Sequence, residues 1–307
     1  MKKEGIHHQK FGSIADAHRA FGLPEPKHPL ISLINGADSG NMTMPSGSHV
    51  LNFYKISYKP RFNSRIKYGQ DYYDFKEGGL LFASPNQIMG HYDENNEATE
   101  CSLYTLLIHP DFFLGYPLAQ EIKQYGFFSY STNETLHLSR EEKDTIISIF
   151  QMIETELNNR IDDFSQNVII SQITLLLNFA KRFHQRQFII RKAVNNDILQ
   201  KLESFLDNYL DNEIAADNGI PTVQLLAGQV NLSPSYLSDM LRSLIGRNAQ
   251  QLIHDKLIEK AKEMLSITTL SISEIAYQLG FKYSQSFNRL FKSKTNLSPL
   301  EFRMSFN

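Results

Sequence analysis

The stretch GFKYSQSFNRLFKS, residues 280–293, joins the end of one helix to the start of another. Apolar side chains recur after the glycine at a spacing that predicts a helix with one buried face, namely Tyr283, Phe287, Leu290 and Phe291. Long hydrogen-bonding side chains recur at the same helical spacing, so they share the opposite face. These polar residues are Gln285, Asn288, Arg289 and Lys292.

The same pattern occurs about 50 residues earlier in the chain, where residues 223–246 match residues 272–296 with one extra residue in the second copy. Each copy predicts a short helix, a turn of three or four residues and a second helix. The predicted helix stops are Asn and Gly, the two residues that most readily adopt the left-handed conformation of a helix C-terminus. They are Asn231 and Gly246 in the first copy, and Gly280 and Asn296 in the second.

The predicted helix starts agree with these stops. Ser233 before Pro234 is typical of an N-cap followed by a first-turn proline, and Ser271 with Glu274 has the spacing of a capping box. The small residues Ala227 and Ala276 allow two helices to cross closely. Each copy therefore predicts a helix-turn-helix unit, a motif that places its second helix in a DNA major groove.

Residues 249–266 lie between the two copies and predict one continuous linker helix. Eighteen residues at about 1.5 Å each give a length of roughly 27 Å. Together with the width of the units, this length would set the two second helices about 34 Å apart, which is one turn of B-DNA. The predicted buried residues of this helix are Leu252, Ile253, Leu257, Ala261, Met264 and Leu265.

Three segments, SPSYLSDMLRSLIG, EKAKEMLSITTLSISEIAYQLGF and SQSFNRLFKSKTNLSPLEFR, resemble the DNA-binding domain of the AraC/XylS family of bacterial transcription regulators. The resemblance covers about the last 86 residues. It implies a sequence-specific, DNA-binding transcription regulator without enzymatic activity or cofactor. Double-stranded DNA is the implied partner and RNA polymerase a further one. The front of the chain matches the family's cupin-like sensor only loosely, and a small-molecule effector is implied through that sensor.

The resemblance also assigns DNA contacts residue by residue. In the first unit it places base readers at Ser235, Ser238 and Asp239, with Arg242 nearer the phosphates. Asp239 departs from the family pattern, in which a basic residue is frequent; a carboxylate accepts from cytosine N4 but is repelled by phosphates. Leu257 and Asn296 also depart from that pattern. In the second unit the implied base readers are Ser284, Gln285, Asn288 and Arg289, with Lys292 near the DNA backbone.

The front of the chain has a different pattern. Residues 12–21 predict a short helix, and residues 29–109 contain short runs rich in aromatic and β-branched residues separated by Gly, Asn, Asp and Pro. These runs predict a small antiparallel barrel or sandwich. Two helices follow, over residues 139–159 and about 163–186. The second helix is apolar on more than one face, which favours a homodimer through 139–186 over simple core burial.

The predicted fold is therefore α+β in two domains. Residues 1–190 form a cupin-like sensor and dimerisation domain, with the antiparallel β-barrel at about 29–135 and the helical hairpin at about 139–186. Polar connectors are predicted at 187–196 and 211–221. Residues 195–307 form an all-α domain, with helix-turn-helix units at about 222–246 and 271–296 joined by the linker helix.

Composition limits the remaining classes. The chain has 307 residues, 41% of them hydrophobic, and one cysteine, Cys101, which cannot form an internal disulfide. Neither an apolar run of about 18 residues nor a signal peptide is found, so no membrane association is expected and the cytoplasm is the default compartment. From Pro221 onward the chain has ten basic and six acidic residues, a net +4. The remaining 21 basic and 27 acidic residues give −6, so the C-terminal third is the part that favours a polyanion.

The front region contains other residues that could form a functional site. His49, His91 and His109 are scattered and do not form a metal-ligand pattern, and no catalytic motif occurs. Two other functions remain as alternatives, a cupin-type enzyme with a DNA-binding tail and a protein-interaction module that no longer binds DNA. Candidates to line a pocket for a polar small-molecule effector, with barrel core as the alternative, are Tyr54, Arg61, Tyr68, Tyr72 and Tyr73.

Overall fold

The chain divides into two compact units, Met1–Gln187 and Phe188–Asn307. None of the described helices is both long enough and apolar enough to cross a bilayer. The computed structural model describes residues 9–36, 48–60, 66–68, 71–73, 78–90, 102–131, 134–159, 162, 164–212 and 214–305.

The first unit contains ten strands within the described residues. Short strands separated by turns are what the aromatic and β-branched runs predict. The strands are β1 (Gln9–Phe11), β2 (Ile31–Asn35), β3 (Ser48–Leu51), β4 (Tyr54–Lys59), β5 (Ile66–Tyr68), β6 (Asp71–Tyr73), β7 (Gly79–Ala83), β8 (Ile88–Gly90), β9 (Tyr104–Ile108) and β10 (Leu136–His137).

The helices of the first unit cap and cover these strands. Ser13 caps the first helix by accepting from the Asp16 backbone N–H, as the short helix predicted for 12–21 requires. The α-helices are α1 (Ile14–Ala20), α2 (Leu118–Glu121), α3 (Arg140–Asn158) and α4 (Ser165–Ile190), and short 3-10 turns occupy Pro110–Phe113, Ile122–Gln124 and Gly126–Ser129.

The strands pair into open sheets. The largest sheet is antiparallel in the order β10-β7-β4-β9-β2, and a smaller sheet joins β1, β3 and β8 through one parallel and one antiparallel pairing. Strands β5 and β6 form a separate antiparallel ribbon. The prediction of antiparallel β structure is confirmed. A closed barrel is not formed by the described strands, because closure requires a continuous ring of pairings and the edge strands β2 and β10 do not pair with each other.

One face of the five-stranded sheet is covered by helices and aromatic rings. Tyr104 of β9 stacks on Phe150 of α3, with ring centroids 5.3 Å apart and planes 9° from parallel. His184 of α4 lies against Phe127, with ring centroids 5.2 Å apart. Burial, followed by the charges of Arg186 and His137, lowers the pKa of His184 to about 3. This imidazole is therefore neutral at physiological pH and acts as part of the aromatic core.

The opposite face of the same sheet packs on α1 and the smaller sheet. Leu107 of β9 belongs to a buried apolar cluster with Phe11, Ile14, Phe21 and other residues of these elements. The first unit thus has a two-layered core on either side of one sheet.

The helical hairpin of the first unit starts as predicted and ends later. Ser139 and Glu142 form a capping box at the start of α3. The connector predicted at 187–196 is instead helical, since α4 continues to Ile190 and the next helix begins at Lys192. The segment QFIIRKAVNN contains no Gly or Pro, and its polar residues are compatible with a helix, so composition alone was a poor guide here.

The second unit is helical throughout its described residues, as predicted. The second polar connector, 211–221, contains a short helix that ends before Gly219. The helices are α5 (Lys192–Asp211), α6 (Ile214–Asn218), α7 (Val223–Gln229), α8 (Pro234–Ile245), α9 (Ala249–Ile267), α10 (Ile272–Gln278), α11 (Ser284–Thr295) and α12 (Pro299–Met304).

Helix α9 is the predicted linker helix and lies at the centre of the second unit. It begins at Ala249, as predicted, and ends at Ile267, one residue later than predicted. Ile258 is buried in addition to the predicted set, whereas Met264 is only half-buried. Five other predicted residues are buried, namely Leu252, Ile253, Leu257, Ala261 and Leu265.

Gly280 marks a close approach between two backbones. Its φ of 87° lies in the left-handed region, and a Cβ at this position would lie 2.6 Å from the Gly219 carbonyl carbon and 2.8 Å from the Ala215 carbonyl oxygen. Real Cβ atoms do not approach backbone atoms this closely. Gly280 is therefore needed both for the turn after α10 and for the packing of that turn against the end of α6.

We expect Gly280→Ala to destabilise the second unit by at least about 2 kcal/mol. The alanine would have to adopt a left-handed backbone conformation, and its Cβ would overlap neighbouring backbone atoms. Gly228→Ala is the matched control: Gly228 lies within α7, and an added Cβ would meet no atom within 4 Å. This control should stabilise the protein by roughly 0.5–1 kcal/mol. Urea unfolding followed by far-ultraviolet circular dichroism measures both effects, and equal midpoints for the two variants would contradict the assignment.

Candidate nucleic-acid interface

The two helix pairs of the second unit end at four residues with left-handed backbones. Asn231 has φ 54° and Gly280 has φ 87°, each directly after the first helix of its pair. Gly246 and Asn296, with φ 70° and 63°, cap the second helices α8 and α11. All four predicted stops are therefore confirmed, with Asn and Gly exchanged between the two units.

The helix starts also follow the sequence. The Ser233 hydroxyl accepts from the Tyr236 backbone N–H at the start of α8, and Pro234 occupies the first turn. Ser271 and Glu274 form the predicted capping box of α10. Thr222, which the sequence reading did not single out, caps α7 by accepting from the Leu225 backbone N–H. The local chain chemistry thus defines two helix-turn-helix units, α7–α8 and α10–α11.

The buried face of α11 differs from the prediction at one end. Phe287 and Phe291 are fully buried, and Phe291 also contacts Phe302 of α12 with ring centroids 5.4 Å apart. Tyr283, predicted to be buried, is 70% exposed because it is the N-cap residue and lies before the helical periodicity begins. Leu290 is only half-buried, so the core of this unit depends on the two phenylalanines.

The exposed face of α11 has the polar residues that the sequence predicted. Gln285, Asn288, Arg289 and Lys292 are all exposed, and Ser284 is half-buried. Among the described residues, Gln285, Asn288 and Arg289 have no hydrogen bond or ion pair to protein, so their side chains are available to an external partner. The three amide and guanidinium groups are those that make bidentate contacts to adenine and guanine edges.

The corresponding face of α8 is occupied by an internal ion pair. Arg242 Nη1 donates to Asp239 Oδ1 at 2.6 Å, between residues three apart on the helix. Ser235, Ser238 and Asp239 are half-buried, whereas the Arg242 side chain is 56% exposed. The carboxylate neutralises the only cation that the resemblance assigns to this helix, so α8 is less attractive to phosphates than α11.

Helix α9 is tied to α5 by two parallel ion pairs. Lys256 Nζ lies 3.0 Å from Asp207 Oδ1, and Lys260 Nζ lies 2.7 Å from Asp211 Oδ1. The hydrogen bond from Lys260 to Asp211 is the first cause of the raised pKa of that lysine. Both pairs repeat at a spacing of four residues on both helices, which indicates that α5 and α9 run alongside each other.

Asp255 of α9 contacts both helix-turn-helix units. Arg247, one residue after the C-cap of α8, donates to Asp255 Oδ2 at 2.7 Å, and Lys294 in the last turn of α11 donates to Asp255 Oδ1 at 2.9 Å. The Asp255 side chain is 27% exposed, so the shared carboxylate is partly shielded from solvent. The sequence reading missed this bridge because its three residues are far apart in the chain and follow no motif.

Of the five candidate effector residues, only Tyr54 has its side chain within the described part of the structure. Tyr54 is buried on the helix-covered face of β4 and contacts Phe128 with ring centroids 5.1 Å apart. Arg61 lies outside the described residues. Tyr68, Tyr72 and Tyr73 belong to the ribbon of β5 and β6, whose backbone alone is described. Tyr54 therefore packs in the apolar core beside the five-stranded sheet.

The histidines considered as metal ligands have structural contacts where they are described. His49 lies edge-on to Phe11 and Phe21, with ring centroids 6.2 and 5.8 Å away. His109 is an N-cap whose Nδ1 accepts from the Asp111 backbone N–H. His91 and Cys101 lie outside the described residues. Within those residues no cluster of three His, Cys, Asp or Glu side chains occurs.

Comparison with known proteins agrees with this geometry. Residues 226–305 match a helix-turn-helix domain family. The chain is 30% identical over 114 residues to an uncharacterized HTH-type transcriptional regulator in the cgkA 5' region of Pseudoalteromonas carrageenovora, covering 37% of this chain and 63% of that protein. It is 35% identical over 122 residues to the arabinose operon regulatory protein of Escherichia coli K12, covering 38% and 41%.

A third relative extends into the first unit. The uncharacterized HTH-type transcriptional regulator YfiF of Bacillus subtilis is 22% identical over 255 residues, covering 83% of this chain and 78% of that protein. The chain spans less than two thirds of the first relative and of the arabinose regulator. The well-matched region coincides with the two helix pairs and their linker. Residues 226–305 of the chain therefore form a helix-turn-helix domain that is similar to the matching region of these transcription regulators.

Proposed function

We propose that the protein is a cytoplasmic, sequence-specific transcription regulator whose helices α8 and α11 enter successive major-groove segments of one DNA face. The observation that carries the proposal is the exposed face of α11. It presents Gln285, Asn288 and Arg289, whose side chains have no protein partner within the described part of the chain, opposite the buried Phe287 and Phe291. A rigid helix that holds free bidentate donors on one side is suited to reading base edges.

The two units have unequal roles in this proposal. Arg289 is positioned as the base reader of α11 and Lys292 as a phosphate contact one turn further along. In α8, the ion pair between Asp239 and Arg242 restrains the cation, so this helix contributes less electrostatic attraction. Ser235 and Ser238 supply hydroxyl groups for either base or phosphate contacts. Specificity therefore comes mainly from the second unit, and the first unit fixes orientation.

Arg289→Ala should weaken binding to the specific operator by about 1–3 kcal/mol and relax the preference at one base pair. Lys292→Ala should instead weaken binding to all sequences alike and reduce the slope of log K against log salt by about one. Fluorescence anisotropy of the full chain measures both, with operators selected from fragments of the source genome. An equal loss on every sequence for both variants would refute base reading by Arg289.

Asp239→Asn should release Arg242 and steepen the dependence of log K on log salt by about one, because one further cation becomes available to phosphate. Glu259→Gln is the matched control, since it removes the same charge from an exposed carboxylate of α9 whose partner Lys256 retains Asp207. Weaker specific binding of Asp239→Asn with an unchanged salt slope would show that the carboxylate reads a base directly.

The first unit acts as the regulatory domain in this proposal. A small-molecule effector that binds one arrangement of this domain better than another would change how the DNA-binding units are presented, and RNA polymerase would be contacted by the regulator on DNA. The same proposal includes a cupin-like barrel that is completed around the described sheets. It also includes a division of the chain into domains at residues 1–190 and 195–307.

We also propose that the protein is a homodimer through residues 139–186. The support is an exposed apolar row that starts at the residue directly before α4 and continues along it, where Phe164, Val168 and Leu175 are 72%, 39% and 41% exposed. Their spacing of four and seven residues places them on one side of the helix. A row of this kind is typical of a seam between two helices, since soluble proteins seldom leave contiguous apolar stripes in water.

Leu175→Glu should raise the dissociation constant of the dimer by at least about tenfold, because it buries an unpaired carboxylate in the seam. Leu114→Glu provides the control: Leu114 is 67% exposed and lies in the first unit outside the hairpin. Sedimentation equilibrium of the full chain distinguishes the two variants. A wild-type protein that remains monomeric, or a Leu175→Glu variant that dimerises like wild type, would rule out this seam.

A further inference from the structure

Helix α4 crosses the boundary between the two compact units. That boundary lies between Gln187 and Phe188, inside the helix, so the end of α4 belongs to the second unit. Phe188 is only 4% exposed, whereas the next two residues, Ile189 and Ile190, are 65% and 69% exposed. The two isoleucines therefore face solvent, and the Phe188 ring is packed.

The ring of Phe188 packs against Tyr236 of α8. The ring centroids are 5.1 Å apart and the planes are 72° from parallel, which is an edge-to-face contact. Tyr236 is fully buried and lies in the first turn of α8, between the candidate base readers Ser235 and Ser238. Recognition helices contact base edges chiefly through their N-terminal residues. The contact therefore supports the end of α8 that would face the bases.

Asn195 of α5 holds the end of α4 in place. Its side chain is 1% exposed, and Nδ2 donates to the Phe188 carbonyl oxygen at 2.9 Å. Its backbone N–H donates to the Arg191 carbonyl oxygen, also at 2.9 Å. Carbonyl groups in the last turn of a helix lack an intrahelical partner, and this amide supplies one. The corner between α4 and α5 is thus fixed at the residue whose ring contacts α8.

We propose that Phe188 is a positioning residue for the contact of α8 with DNA. Its ring fixes Tyr236 and with it the first turn of α8, so it determines how well the α7–α8 unit binds its half of the operator. The inference rests on the proposed function, because that function places α8 in a DNA groove. It adds a residue of α4, which lies outside both helix-turn-helix units and outside the matched residues 226–305.

The same contact gives the first compact unit a route to α8. Successive turns of an α-helix are joined by hydrogen bonds, so a rotation about the helix axis is passed along its length. A change in the first unit that turns α4 would therefore move the Phe188 ring against Tyr236. Packed side chains change between discrete arrangements rather than continuously. Regulation by the first unit would thus act on the half-site of α8.

Helix α11 has an equivalent support from a different helix. Phe302 of α12 is half-buried and packs on the fully buried Phe291 of α11, with ring centroids 5.4 Å apart. In both cases a neighbouring helix places a phenylalanine ring against a buried ring of α8 or α11. Phe188 and Phe302 can therefore be replaced in matched variants that leave the sequences of α8 and α11 unchanged.

The experiment compares Phe188→Leu with Phe302→Leu in the full chain. Fluorescence anisotropy measures binding to the intact operator and to operators with base substitutions in one half-site at a time. The half-sites are assigned by DNA cleavage from an iron chelate attached at Lys282→Cys in a Cys101→Ser background, because Lys282 is exposed in the turn before α11.

We expect Phe188→Leu to weaken binding to the intact operator by at least about fivefold, and substitution of the α8 half-site should then cost much less than in wild type. A helix that is no longer well placed on its bases loses little more when those bases are changed. The cost of substituting the α11 half-site should stay as in wild type. Phe302→Leu should show the reverse pattern.

Two further variants separate positioning from folding. Asn195→Ala keeps both rings and releases only the Phe188 carbonyl group, so it should weaken binding at the α8 half-site even where Phe188→Leu does not fold. Ile189→Ala changes an exposed residue of the same turn and should bind within about twofold of wild type, as surface substitutions usually do.

Hydrogen exchange of the DNA-free chain provides a measurement that does not depend on the regulator. Amides of α8 should exchange faster in Phe188→Leu and in Asn195→Ala, whereas those of α11 should not. Equal acceleration in both helices, or equal loss of affinity at both half-sites, would overturn the positioning role. A wild-type chain that binds no genomic fragment would remove the regulator, and faster exchange confined to α8 would then still support the contact.

Discussion

A chain that leaves one helix and enters the next within three or four residues needs a backbone conformation that most L-residues avoid. The two helix-turn-helix units meet this need at four positions, Asn231, Gly246, Gly280 and Asn296, all with positive φ. The direction of α8 and α11 depends on these turns, and the position of every candidate base reader depends on those two helices. The polar faces would have no common geometry without this constraint.

Side-chain packing holds the helices on either side of these turns in fixed positions. Phe281 lies directly after the Gly280 turn, and its ring contacts Phe287, which contacts Phe291. On the other side of the unit, the ion pairs from α9 to α5 hold the linker helix in register. The candidate base readers on α11 are therefore exposed side chains on a fixed backbone, an arrangement in which little backbone conformational entropy is lost on binding.

Much of the second unit could be predicted because its information is local. Caps at Ser233 and Ser271, left-handed stops and apolar periodicity act within one helical turn, and the duplication repeats each of them. Tyr283 was mispredicted because helical spacing was extended one residue beyond the true start of α11. The polar composition of 187–196 predicts a loop, yet the segment is helical because it contains no residue that breaks a helix.

The first unit was less predictable because its chemistry depends on sheet pairing. Register decides which residues share a face, and it cannot be derived from the alternation of a single strand. Tyr54, predicted as a pocket residue, faces the aromatic core. The hydrogen bond between Ser57 and Thr105 likewise joins residues 48 positions apart, which no local pattern connects.

The carboxylate of Asp255 couples the movements of the two helix-turn-helix units. Because it accepts from a residue beside the end of α8 and from one in the last turn of α11, a displacement of either unit must strain the same side chain. In the proposed complex with DNA, the helix that binds first holds the second near the adjacent groove at a high effective concentration, so the second helix loses little translational freedom on docking. The two helix-turn-helix units of one chain would thus provide avidity for DNA without a second copy of the protein.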